Sequence, residues 1–253
     1  MVLRKTNLIW ENLYSLKEAE IVLLGVPFDS TVTEVPGTRF APNRIREDFQ
    51  VHVDGFDPQL GDLEEVRLHD AGNVEVLHGN IDKTNERIYE TVLSIKEENP
   101  NATLITLGGE HSITYPIVRA LYEKDFSYLC YDAHTDLFDE YNGLKNSHAC
   151  VNRRIYDLLG NVQINGYNPT KDDHEAVKKL KKVKDPIYLS IDVDVFSDKV
   201  GCPASSLYDF EKMWGEIKNR DIVAADVVEY NPLVGKDIRV AELVKRLILK
   251  CRS

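Results

Sequence analysis

Six side chains in three short stretches are suited to holding hard metal ions. "GGEHS" (108–112) carries His111, "DAHTD" carries Asp132, His134 and Asp136 at every second position, and "SIDVD" carries Asp192 and Asp194 two apart. Residues i, i+2 and i+4 of an extended chain point to one side, so each set is expected to converge. Alone, DAHTD supports two readings: acids capping neighbouring helices beside a carbonyl-bonded histidine, or metal ligands. His111 alone reads first as a loop or cap histidine. The Asp192–Asp194 pair is more demanding, because two carboxylates on one face of a buried strand repel unless positive charge joins them. Taken together, the four carboxylates balance the charge of two divalent cations. Oxygen and imidazole donors without thiolate favour a harder ion such as Mn²⁺. Paired ions of this kind sit about 3.5–4 Å apart and make hydroxide available near neutral pH.

Elements must bring these stretches together. Runs rich in Ile, Val and Leu recur at 20–28, 102–109, 126–134, 161–167, 186–196 and 221–230. Near-continuous apolar runs of this length are expected to be strands buried on both faces. Helical segments are expected at 80–98, where Ile81, Ile88, Val92 and Ile95 share a face, at 112–124 with Ser112 as N-cap, at 172–183 and at 236–250. Strands alternating with helices predict an α/β fold with a mainly parallel central sheet between helical layers. Ligands of such folds lie beyond the carboxyl ends of the strands, which is where the three stretches fall. The two glycines before Glu110 are expected to allow a sharp turn. No linker, low-complexity tract or repeat interrupts residues 1–253, so a single domain is expected. The lysines of "AVKKLKKVKD" read as a solvated helix face.

The formal net charge of −11 argues against a nucleic-acid partner and suits a cationic small molecule or metal ions. No apolar run is long enough to span a membrane, and the first twenty residues lack the pattern of a signal peptide. Cys130, Cys150, Cys202 and Cys251 are scattered, without a CxxC pair, which reads as a reduced, cytoplasmic protein.

The motifs "GGEHS", "DAHTD" and "SIDVD", in this order and strand context, resemble the metal-binding motifs of the ureohydrolase family, the arginases and agmatinases. "GVPFDSTVTEVPGTRFAPNRIRE" (25–47), "DAGNVEV" (70–76), "SHACVNRR" (147–154) and "DVVEYNP" (226–232) are similar to further stretches of that family, so the resemblance runs from about residue 21 to the C-terminus. It implies a three-layer α/β/α arginase-like fold. It also implies two Mn²⁺ ions held by His111, Asp132, His134, Asp136, Asp192 and Asp194, and an amidinohydrolase. His148 matches a loop histidine of proton transfer, with Asp136 as a second candidate. Glu229 matches the acid that grips the guanidinium, since a carboxylate accepts two parallel hydrogen bonds from that planar group. Asp226 is expected to be structural. The resemblance further implies a homo-oligomer, a trimer or hexamer.

The substrate is expected to be a small cationic guanidino compound. Arginases of the family place an Asn two residues after the last Asp of DAHTD; here that position is Phe138, followed by Asp139 and Glu140. Acids there would repel an α-carboxylate and attract a terminal amine, although a plain solvated acidic loop is an equal reading. The loop looks most like archaeal-type agmatinases, so hydrolysis of agmatine to putrescine and urea is expected. Aminopropyl-agmatine, arginine, guanidinobutyrate and formiminoglutamate are alternative substrates, and a non-catalytic metal-binding member is the alternative of another class. Two stretches depart from the family. After Asp194, "FSDKVGCPASSLYDFEKMW" is shorter and lacks the usual glycines, and "QINGYNPTKDD" also differs.

Overall fold

The computed structural model describes residues 3–4, 14–123, 125–168, 174–196, 209–235 and 237–252. Ten strands are described: β1 (Leu3–Arg4), β2 (Ile21–Gly25), β3 (Phe56–Asp57), β4 (Gly61–Asp62), β5 (Leu68–Val74), β6 (Thr103–Leu107), β7 (Ser127–Tyr131), β8 (Val162–Asn165), β9 (Ile187–Asp192) and β10 (Ile222–Val228). β3 and β4 form a small separate ribbon. The others form one sheet in the order β1-β5-β2-β6-β10-β9-β7-β8. Seven of its strands run parallel, and only β1 is antiparallel to its neighbour.

Alternate residues of the central strands feed two cores. Ile21, Leu23, Ile105, Leu107, Leu189 and Ile191 face one side. There they meet α1 (Ala41–Val51), α6 (Phe210–Ile217) and α7 (Arg239–Cys251). Val22, Leu24, Leu104, Tyr128 and Tyr188 face the other, against α2 (Ile81–Glu98), α3 (Thr114–Leu121) and α4 (Val151–Leu159). Burial on both faces explains the unbroken apolar runs, and the result is the expected three-layer α/β/α arrangement. Ile81, Ile88, Val92 and Ile95 of α2 are buried as their spacing predicts.

Several elements differ from expectation for physical reasons. Periodicity did not reveal α1 or β5, because they bury polar groups against each other. Arg46 of α1 is wholly buried and pairs with Asp70 at 2.7 Å and Asn73 Oδ1 at 2.6 Å, both on β5. The expected helix at 172–183 is reduced to α5 (His174–Val177), with residues 171–173 outside the described set. Its downstream part is tied to β8 instead, through Lys181 N–H to Val162 O and Val183 N–H to the Gln163 side chain. Ser112 caps no helix; its hydroxyl donates to Glu110 at 2.5 Å. The glycines of GGEHS serve close approach. A Cβ on Gly109 would lie 2.0 Å from the Phe28 carbonyl oxygen, and one on Gly108 2.6 Å from Val228 Cγ1.

No described helix is long and apolar enough to cross a membrane. Cys130, Cys150 and Cys251 are free thiols. Cys202 and the shortened stretch 197–208 lie outside the described residues, as do residues 169–173 of the second divergent stretch.

Candidate metal centre

Four adjacent central strands, β6, β10, β9 and β7, present their carboxyl ends to one crevice. His111 follows β6, the DAHTD stretch follows β7, Asp192 ends β9 and Asp194 sits in the 3-10 turn after it. Glu229 follows β10.

All six candidate ligands gather there, in two groups. Ligand atoms of His111, Asp132, Asp136 and Asp192 lie within 4.8 Å of one another, and so do those of Asp132, His134 and Asp194. His111 Nδ1 is 3.0 Å from Asp136 Oδ2, 3.2 Å from Asp132 Oδ2 and 3.4 Å from Asp192 Oδ2. His134 Nδ1 is 2.7 Å from Asp194 Oδ2 and 3.7 Å from Asp132 Oδ1. Asp132 therefore belongs to both groups, one oxygen turned to each.

Convergence does not come from an extended strand. β7 stops at Tyr131, and Asp136 takes a left-handed backbone, φ +48°. β9 stops at Asp192, whose carboxylate accepts the Asp194 N–H at 3.0 Å and so turns the chain. Asp132 does the same for the His134 N–H at 2.6 Å, and Asp194 Oδ1 accepts the Ala133 N–H at 3.0 Å, stitching the two loops together. Glu229 is also left-handed, φ +63°. A non-glycine residue held there costs about 1–3 kcal/mol, and such strain gathers at functional sites.

The donor set fits divalent cations. Asp132 Oδ2 is buried without a well-formed hydrogen bond. Burial, then the charges of Asp136 and Asp194, push Asp132 up to about 7. Burial, then Asp194 and Asp132, push Asp192 well above the carboxylate range. The hydrogen bond to Asp194 raises His134 to about 10. A cluster this acidic must hold either protons or cations. Its oxygen and imidazole donors suit harder divalent ions.

A supporting shell, unread in the sequence, orients His111. Its Nε2 lies 3.2 Å from Ser190 Oγ, whose own proton goes to Asp226 Oδ1 at 2.6 Å; Tyr188 donates to the other Asp226 oxygen, also at 2.6 Å. Ser190 must then accept from Nε2–H, which leaves the Nδ1 lone pair for a metal. Buried Asp226 thus has the supporting place expected of it. The signal available was alternation along β9, which puts Tyr188, Ser190 and Asp192 on one face.

Glu229 Oε1 accepts the His111 backbone N–H at 2.7 Å, which sets that carboxylate beside the ligand cluster. His148 opens a 3-10 turn, with the ring of Tyr141 edge-on at 5.9 Å. Asp139 lies apart from the cluster. Its side chain is 62% exposed and pairs with Arg154 at 2.6 Å. Glu110 and Thr31, given no role by motif reading, join His148 in a hydrogen-bonded chain.

The arginase family model matches residues 19–179 and 161–252. This chain belongs to the arginase family. An agmatinase of Pyrococcus horikoshii is 36% identical over 204 residues, covering 72% of this chain and 70% of that protein. An N(1)-aminopropylagmatine ureohydrolase of Thermococcus kodakarensis is 32% identical over 84% of this chain and 83% of its own length. The crystal structure of the agmatine ureohydrolase of Thermoplasma volcanium superposes with a TM-score of 0.85 at 26% identity, covering 98% of this chain and 95% of that one. This arginase-family member is accordingly an agmatinase-like ureohydrolase, a metal-dependent hydrolase.

Proposed function

We propose that this ureohydrolase cleaves the guanidinium of agmatine to give putrescine and urea, with two Mn²⁺ ions held by His111, Asp132, His134, Asp136, Asp192 and Asp194. The observation that carries the reading is the pair of ligand groups sharing Asp132. When bound, the ions supply an acidified water and positive charge against the charge that develops during attack. The chain's own residues do the rest. Glu229 grips the planar guanidinium and orients its carbon, and the His111 N–H fixes that carboxylate at 2.7 Å. Asp136 and His148 carry protons, so that the amine leaves neutral. Agmatine is favoured because relatives matched along most of their length, from Pyrococcus horikoshii and Bacillus subtilis, are agmatinases.

The test is urea release with Mn²⁺ on agmatine, aminopropyl-agmatine, arginine and guanidinobutyrate, with formamide release from formiminoglutamate alongside. Agmatine is expected to give the highest kcat/KM. A clear preference for aminopropyl-agmatine would move the substrate to the reading that the Thermococcus relative favours. Absence of turnover on every compound, with metal bound, would refute the enzyme reading.

A further inference from the structure

The loop from Val26 to Gly37 is laid across the GGEHS stretch. Glu110 N–H donates to Phe28 O at 2.7 Å, and the Asp29 carboxylate pins the far end through Gly37 N–H at 2.8 Å and Arg39 at 2.6 Å. This places Thr31 between Glu110, wholly buried, and His148. Glu110 Oε2 accepts the Thr31 backbone N–H at 2.7 Å, and Oε1 accepts the hydroxyls of Thr31 and Ser112, each at 2.5 Å.

Thr31 Oγ1 has one hydrogen and two lone pairs. The hydrogen is given to Glu110. One lone pair takes the His148 backbone N–H at 3.1 Å, a group that can only donate. His148 Nδ1 lies 3.2 Å from the same oxygen. With Glu110 a carboxylate, which can only accept, no hydrogen remains on Oγ1 for it, so the contact is attractive only if Nδ1 carries the proton.

We propose that Glu110 and Thr31 are positioning residues that hold neutral His148 as its Nδ1–H tautomer and leave Nε2 as the basic nitrogen for proton transfer. The chain Glu110–Thr31–His148 sets both where the imidazole sits, through the backbone N–H, and which nitrogen reacts, through Nδ1. Proton transfer by the wrong tautomer fails even when the ring stays in place, so the pair acts on kcat rather than on substrate capture. The catalytic part of this inference rests on the role given to His148 above; the tautomer does not.

The tautomer is read directly by ¹⁵N NMR of histidine-labelled protein loaded with diamagnetic Mg²⁺, with the His148 signals assigned by their loss in His148→Asn. The expected spectrum has a protonated, pyrrole-like Nδ1 and a bare, pyridine-like Nε2 for neutral His148. A proton on Nε2 in the unaltered protein would overturn the proposal without any variant. Thr31→Val keeps the side-chain shape and removes the acceptor. It is expected to move the His148 proton towards Nε2 and to lower kcat about 10-fold or more, with KM within about twofold and metal content unchanged. Thr31→Ser is expected to restore both tautomer and kcat. Unchanged kcat in Thr31→Val, or a loss of kcat matched by loss of metal, would refute the positioning role. If the unaltered protein turns over no guanidino compound, the function reading fails while the spectrum still decides the tautomer.

Discussion

The four aspartates on the floor of the site are nearly dry and lie at the ends of central strands or in the turns just after them, whereas Asp139 and Glu140, on the rim formed by the loop after DAHTD, stand in solvent. Floor acids lie within a few ångströms of one another and share two histidines as partners. The rim acid Asp139 is already paired with Arg154, which also lies 3.6 Å from Asp157. Buried like charges leave the chain a choice between protons and cations, while an exposed ion pair contributes about 0–1 kcal/mol and can be rearranged cheaply. The floor is thus committed to one chemistry, whereas the exposed pair is not.

Substitutions that strike the floor should therefore dwarf those on the rim. Asp192→Asn is expected to have the largest effect, lowering metal content and urea release together by more than the 10–100-fold typical of a supporting-shell change. Metal analysis beside the urea assay checks this, and full turnover with two ions retained would remove Asp192 from the ligand set. Glu229→Gln comes next. It should keep its metal yet lose roughly 10²-fold in kcat/KM, because one partner of a charge-assisted contact is lost.

A smaller effect follows from the raised carboxylate Asp132. Its folded pKa is near 7 against an ordinary 3.8. The folded, metal-free chain therefore keeps a proton that the unfolded chain has released. That stabilisation is complete below the ordinary value and fades as pH rises through about 7. Cations bind the deprotonated cluster, so the rise in Tm on adding Mn²⁺ should grow between about pH 5 and 8. The His134 proton, held up to about 10 by Asp194, extends this competition to higher pH. A metal-induced shift that shrinks with rising pH would contradict the floor picture. Asp139→Asn should matter least, changing kcat/KM on agmatine by no more than about fivefold. A large loss on agmatine with none on guanidinobutyrate, which lacks the amine, would erase the contrast and make Asp139 part of substrate recognition.

The same contrast explains what could be read from the sequence. Strand ends fix the floor residues, so Asp132, Asp192 and their neighbours announce themselves by spacing next to apolar runs. Even so, the geometric reason was different: hydrogen-bonded turns and a left-handed Asp136 bring the ligands together. Elements that bury polar groups were invisible to periodicity, as Arg46 against Asp70 and Asn73 illustrates. Thr31 lies 79 residues from Glu110 and 117 from His148, and no local pattern links residues so far apart.

Strand order has a consequence for how the crevice comes into being. β6, with His111 beyond it, and β9, with Asp192 at its end, are not neighbours; β10, the last of the described strands, lies between them. While the protein is being made, the nascent chain can carry all six candidate ligands and still lack the spacer that holds them in register. A chain cut short before Val228 would carry the six candidate ligands without the strand that sets the spacing between His111 and Asp192.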